Sequence, residues 1–338
     1  MAIKGLIENK ILYFAQKPEN NPNSLNFPFY TLSFIEDDYP ARTPVMWNAV
    51  YQKFNFPVAN IMLISNASNV RKILSELAGD KKYLGGGMGV GFKDEAVKFL
   101  KDLDSLAEII GSINLIQKTE NGILKGHNTD GEGYALSLEK IFKQRKESLV
   151  GKKVLMLGAG GTGNAIAFSL ARRDMKIIIL NRTINKAEIL SKKINQYFKN
   201  NQSFFGGEDE ITDYIKQGVD VIVNVSIKGA TGPLEKYSAL AQSQLPTTEE
   251  NINVNIEASK KILADISKDV IISDIVLRSE LSPLLKLAQK AGLNILTGIP
   301  MVINQAVKAF EIIHSKELRA KKIKIDDIAM AMKEAVKL

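Results

Sequence analysis

Residues 151–173 read GKKVLMLGAGGTGNAIAFSLARR, and this stretch decides the fold. GKKVLML is a short apolar run bounded by glycines, which predicts a buried strand. GAGGTG follows as a turn, and NAIAFSLARR then carries a helical pattern rich in alanine. Further along, KIIILNRT predicts a second buried strand and NKAEILSKKINQYF an amphipathic helix. VDVIVNVS and KDVIISDIV add two later strands. Strands alternating with helices at this spacing are βαβ units, which demand a parallel sheet with right-handed crossovers.

Within the turn, Gly158, Gly160 and Gly163 satisfy G-x-G-x-x-G, with Ala159, Gly161 and Thr162 completing it. Alone this pattern is weak; placed between a buried strand and a helix it predicts a dinucleotide site. The first glycine permits the tight turn, the second lets pyrophosphate approach the backbone, and the third allows close helix packing. The phosphates then sit at the helix N-terminus. NAD sites usually end the second strand in Asp or Glu, whereas this strand ends in Asn181, followed by Arg182, Thr183 and Lys186. A carboxylate would repel a 2′-phosphate and a guanidinium binds one through charge-assisted bonds, so NADP is the expected cofactor.

Before the glycine turn, FYTLSFIED and ANIMLIS predict strands, and VRKILSEL and DEAVKFLKDL predict helices. SINLIQKTENGILKGHNTD reads as strand, Asn-Gly turn and strand. After it, AVKAFEIIHSKEL and DDIAMAMKEAV predict amphipathic helices. Residues 235–264, rich in Asn, Thr, Gln and Ser, read as a polar insertion.

At 338 residues the chain is long enough for two domains. It has no cysteine, which excludes disulfides and thiolate ligands and fits a reducing compartment. The opening MAIKGLIENKILYFAQKPEN mixes charges into its apolar residues, unlike a signal peptide. The apolar runs fall far short of the roughly 20 residues of a membrane span. A soluble, cytoplasmic protein without membrane association is expected. The net charge of +8 comes from lysines spread along the whole chain. The dense cluster Lys316–Lys324 reads as a solvated helix face, so no nucleic-acid partner is expected. A positive field suits anionic small molecules. With His127 and His314 as the only histidines, no His-based triad or zinc site can be assembled, and no metal is expected.

Two further segments, with those above, resemble the shikimate dehydrogenase family. GMGVGFKDEA carries Lys93 where the family has the lysine of an Asn-Val-Thr-x-Pro-x-Lys segment, and GHNTDGEGY matches its Gly-x-Asn-Thr-Asp-x-x-Gly. GSINLI, GAGGTG, NRT, NVSIKGA, SPLLKLAQKAG and GIPMVINQAVKAF occur in the family's order, so the resemblance covers roughly Pro40 to Ala309. It implies an α/β chain with a three-layer N-terminal substrate domain (1–134 with the C-terminal helices of 305–338) and a Rossmann NADP domain (135–304). Substrate would bind in the cleft between them.

The implied reaction is reversible, NADP-linked interconversion of a ring hydroxyl and ketone on an anionic polyol, by a monomer or homodimer, within aromatic amino-acid biosynthesis. Lys93 and Asp130 become the catalytic pair. Hydride reduction of a ketone needs a proton donor at the developing alkoxide, and with no suitable histidine a Lys–Asp pair can serve. Thr43, Asn114, Asn128 and Gln305 would meet substrate, Gly298 and Met301 the nicotinamide, and Asn224 and Ser226 the cofactor cleft. Three rival readings remain: an ordinary shikimate dehydrogenase that tolerates its departures from the family pattern; a catalytically silent NADP-binding regulator on this fold, against which the Lys–Asp pair speaks; and a methylene-tetrahydrofolate dehydrogenase, which lacks the Asn-Thr-Asp segment.

The departures from the pattern cluster on one function. The family's Ser-x-Ser-Pro is Ala41-Arg42-Thr43-Pro44, its next histidine is Trp47, and Asn48 remains. The family's substrate-binding tyrosine is Leu277, and its Asn, Thr and Pro before the lysine are Gly87, Gly89 and Gly91. Losing polar partners of one carboxylate should weaken shikimate binding by about 1 kcal/mol or more each. A divergent member with an altered substrate is therefore expected, with Arg42 available as a replacement clamp.

Overall fold

The computed structural model describes residues 2–15, 26–36, 42–89 and 91–336. Its contacts divide the chain into two units, Met1–Gly133 with Ile303–Leu338, and Tyr134–Val302.

The first unit is built on a seven-stranded mixed sheet. Its elements are α1 (Ala2–Glu8), β1 (Tyr13–Phe14), β2 (Phe29–Ile35), α2 (Thr43–Lys53), β3 (Val58–Ile64), α3 (Val70–Gly79), β4 (Tyr83–Gly87), α4 (Phe92–Val97), β5 (Asp102–Leu103), α5 (Ser105–Ile110), β6 (Leu115–Lys118) and β7 (Leu124–His127). The strand order is β1-β3-β2-β4-β6-β7-β5. β3, β2 and β4 run parallel, while β6 pairs antiparallel with β4 and β7. β2 and β3 are buried almost throughout, as strands covered on both faces must be. Leu32, Phe34, Ile61, Leu63, Leu74 and Phe92 share one core.

DEAVKFLKDL does not form one helix. α4 stops at Val97, and Asp102–Leu103 pairs instead with β7. Gly126 explains the switch: a Cβ there would lie 2.7 Å from Leu103 Cδ2, so its absence lets the leucine settle on the strand. Asp104 then caps α5, accepting from Ala107 N at 2.7 Å.

The second unit carries β8 (Lys153–Leu157), α7 (Gly161–Ala171), β9 (Lys176–Leu180), α8 (Ile184–Phe198), β10 (Ser203–Gly206), α9 (Ile211–Lys216), β11 (Val221–Asn224), α10 (Glu249–Ala264), β12 (Ile271–Asp274), α11 (Pro283–Lys290) and β13 (Asn294–Thr297). Helix α6 (Asp130–Gln144) begins in the first unit and ends in the second; α12 (Ile299–Lys321) runs the other way and α13 (Ile325–Ala335) follows. The six strands are all parallel, in the order β10-β9-β8-β11-β12-β13. Numbered along the chain this is 3-2-1-4-5-6, the doubly wound dinucleotide-binding order. The polar segment 235–264 is more than an insertion loop. Thr248 caps α10 by accepting from Asn251 N, and Asn255 and Ser259 on that helix are buried.

No helix among the described residues is long and apolar enough to cross a membrane. The basic cluster at the chain's end makes internal contacts: Lys316 pairs with Glu120, and Lys321 donates to Phe54 O at 3.2 Å.

Candidate functional site

In the first unit a cavity of about 170 Å³ is lined by residues that include Ser33, Thr43, Gly89, Lys93, Asn114, Asp130 and Gln305. Lys93 stands in the first turn of α4 and Asp130 opens α6, where Asp130 N donates to Asn128 Oδ1 at 3.1 Å. Lys93 Nζ meets Asp130 Oδ2 at 2.5 Å, with side chains 27% and 12% exposed. The pair is thus shielded yet reachable from the cavity.

The other carboxylate oxygen, Oδ1, accepts from Asn114 Nδ2 at 2.8 Å. That amide nitrogen also lies 2.9 Å from Thr129 Oγ1 and 3.1 Å from Gln305 Oε1. It has two hydrogens for three acceptors, so an incoming hydroxyl can exchange into this set without stranding a buried group. Asn114 Oδ1 is held by Thr129 N at 2.8 Å, which fixes the amide's orientation. Ser33 Oγ donates to Asn60 Oδ1 at 3.1 Å and opens a buried polar chain through Thr31 and Tyr51 to His314.

Not every expected substrate residue lies here. Asn128 is buried outside the lining, its Nδ2 donating to Ser112 O at 3.0 Å while Oδ1 holds the start of α6. Both ends of its amide serve the backbone, so it positions Asp130 and does not line the cavity. Trp47 is fully buried and donates to Ala306 O at 3.2 Å. Leu277, in the second unit, is 45% exposed. Ala41 lies outside the described residues. Ser33 escaped the sequence reading, although Thr31 and Ser33 alternating in a buried strand were a usable signal.

The second unit has its own cavity, of about 250 Å³, bordered by Gly158, Ala159, Gly160, Asn181, Arg182, Thr183, Lys186 and Ser226, with Glu208 and Lys228 among the rest. Gly158 has φ +121°, and a Cβ on it would lie 2.9 Å from Ser226 N, so only glycine fits this turn. Gly163 packs on Val225, with 3.1 Å left for a Cβ, which brings α7 close to β11. At Gly160 and Gly161 a Cβ would meet nothing within 4 Å, leaving the N-terminus of α7 open as a phosphate cradle. Arg182 and Lys186 on the rim carry charge suited to a further phosphate, and no carboxylate ends β9. These residues fit NADP.

Thr162 and Gly163 lie within α7, and they and Gly161 are outside the lining. Asn224 is likewise outside it, fully buried beneath: its Nδ2 reaches Lys228 O and Asp274 Oδ1, and its Oδ1 accepts from Ser226. It shapes the loop and does not line the cavity. Burial pushes the Asp274 carboxyl up to about 6. Gly298 and Met301 also lie elsewhere, Gly298 packed so closely that a Cβ would sit 2.6 Å from Ile275 O.

Family models agree with this division. Residues 40–116 match the shikimate dehydrogenase substrate-binding domain, and residues 140–269 match shikimate/quinate 5-dehydrogenase. The NADP(+) shikimate dehydrogenase of Caldanaerobacter subterraneus is 31% identical over 79% of this chain and 85% of its own. The chain belongs to the shikimate dehydrogenase family. The Methanocaldococcus jannaschii NADP(+) shikimate dehydrogenase is 29% identical over 80% of this chain and 86% of its own. A crystal structure of a shikimate dehydrogenase in complex with NADP+ shares the fold with TM-score 0.72 at 23% identity, covering 94% of this chain and 99% of that one.

Proposed function

We propose that this chain catalyses NADP(H)-linked interconversion of a ring hydroxyl and a ketone on a shikimate-like hydroxy acid, with Lys93 and Asp130 handling the proton. The Lys93–Asp130 contact of 2.5 Å at the wall of a polar cavity carries the reading. Family membership and NADP(+)-dependent relatives support it.

NADP, when bound, supplies the hydride acceptor and, in reverse, the donor. In the oxidative direction the substrate hydroxyl sits against Lys93 Nζ, and its proton passes to the Lys93–Asp130 pair. In reduction Lys93 returns that proton to the nascent alkoxide, which the ammonium also stabilises. Asn114 holds the carboxylate from its far oxygen and, with Gln305, presents polar atoms to ring hydroxyls. Gly87 and Gly89 offer no side chain to the cavity, so the substrate's carboxylate has fewer partners than the family pattern provides. This favours a substrate other than shikimate, or shikimate bound weakly. A cytoplasmic setting agrees with a chain without cysteine.

Cofactor titration with steady-state kinetics tests the proposal. NADP should bind at least about 10-fold more tightly than NAD, and Arg182→Ala should erase most of that difference, the worth of a charge-assisted bond. Shikimate should turn over with a raised KM and a near-normal kcat, since the missing contacts are uniform binding. Equal cofactor affinities would refute the NADP assignment. Absence of NADP-linked turnover with shikimate, quinate and related ring polyols would refute the reaction.

A further inference from the structure

Glu208 follows β10 and lines the same cavity as Arg182 and Lys186. A carboxylate there opposes the phosphate that Arg182 is placed to receive, because like charges in a shielded site repel. The structure supplies a counter-ion from another segment. Lys228 Nζ lies 2.8 Å from Glu208 Oε2, and its side chain is only 6% exposed. The same ammonium donates to Ala241 O at 3.0 Å.

Ala241 is itself held. Asn255, buried on α10, has its Nδ2 within 3.1 Å of the carbonyls of Ser238, Ala241 and Gln242, which share its two hydrogens, and its Oδ1 accepts from Ser238 N at 2.8 Å. The polar helix within segment 235–264 therefore braces the loop that fixes Lys228.

We infer that Lys228 is a positioning residue for cofactor specificity: it neutralises and restrains Glu208, so that the cavity accepts a dinucleotide bearing a 2′-phosphate. This rests on the NADP reading above and deepens it. Two observations support a dedicated role. Burying a lysine is costly unless it is paired and bonded, and Lys228 is both. Its partner is also the carboxylate that borders the cavity beside Arg182 and Lys186.

Calorimetric titration of the full chain with NADP and with NAD tests the inference. Lys228→Met should raise the NADP Kd by about 10-fold or more while the NAD Kd moves by no more than about 3-fold. Adding Glu208→Gln to that variant should recover most of the NADP affinity. An equal loss for both cofactors, or no recovery in the double variant, would overturn the inference and leave Lys228 a brace. Should Lys228→Met fail to fold, Glu208→Gln alone decides: freed of its partner, the ammonium should increase the preference for NADP, and a decrease overturns the inference. A wild-type protein with no preference for NADP would overturn the underlying cofactor reading as well.

Discussion

The cavity of the second unit is bordered by loops at the ends of neighbouring parallel strands, and most of its residues fall in two short stretches, 158–160 and 181–186. The cavity of the first unit draws on residues as far apart as Ser33, Lys93, Asp130 and Gln305. A parallel doubly wound sheet gathers its strand ends, and with them its binding loops, on one edge. A mixed sheet does not, and must bring functional groups in from several elements. One consequence is that the first unit depends on tight backbone approach within the sheet, whereas in the second the close approach, at Gly158, falls between loops at the sheet's edge.

Gly86 exposes that dependence most sharply. It has φ +149°, and a Cβ there would lie 1.8 Å from Leu32 O on the neighbouring strand. Gly86→Ala should destabilise the first unit by about 3 kcal/mol or more, since backbone cannot move aside as a side chain can. Trp47, the only tryptophan, is fully buried in this unit, so its fluorescence reports the loss in urea unfolding. A midpoint unchanged from wild type would break the contrast.

Acid should separate the units more gently. Burial holds the His314 imidazole at about 3, below its ordinary 6.5, so the folded first unit keeps it neutral beside Tyr51. The unfolded chain takes up that proton first, and stability falls as pH drops below 6.5, by about 2 kcal/mol at pH 5. Asp274 in the second unit behaves oppositely. Its folded value of about 6 exceeds the ordinary 3.8, so the cost of its buried charge is full above pH 6 and is relieved as pH falls toward 4. Urea midpoints by Trp47 fluorescence should therefore decline from pH 7 to pH 5, and His314→Gln should flatten the decline. An unchanged slope in that variant would remove His314 as its cause.

The same contrast governs what could be read from the chain. GKKVLMLGAGGTG and KIIILNRT are local signals, and a glycine turn between strand and helix constrains its own neighbourhood strongly enough to be recognised alone. Asn224 and Asn128 sit in motifs that suggest binding, yet Asn128 spends its amide on backbone and Asn224 on backbone and neighbouring side chains, which only three-dimensional partners reveal. Residues 100–103 belong to the run DEAVKFLKDL, whose sequence reads as one helix. The partner that makes 102–103 a strand is Gly126, more than 20 residues away. The asparagines of helix α10 are poor helix formers that mask it in the sequence, and one of them, Asn255, is placed to bond a loop. Lys93 and Asp130 were legible only as members of an ordered set of motifs; nothing in either segment alone predicts a 2.5 Å pair.

On the mechanism proposed, the first unit's Lys93–Asp130 pair moves the proton while the second unit holds the cofactor. Turnover and NADP affinity measured side by side in Lys93→Ala test it most directly. The kcat should fall by about 100-fold or more, the usual worth of a positioned acid–base group, with the NADP Kd within about 2-fold of wild type. A variant that keeps wild-type turnover, or one that loses NADP binding in step with its activity, would contradict it.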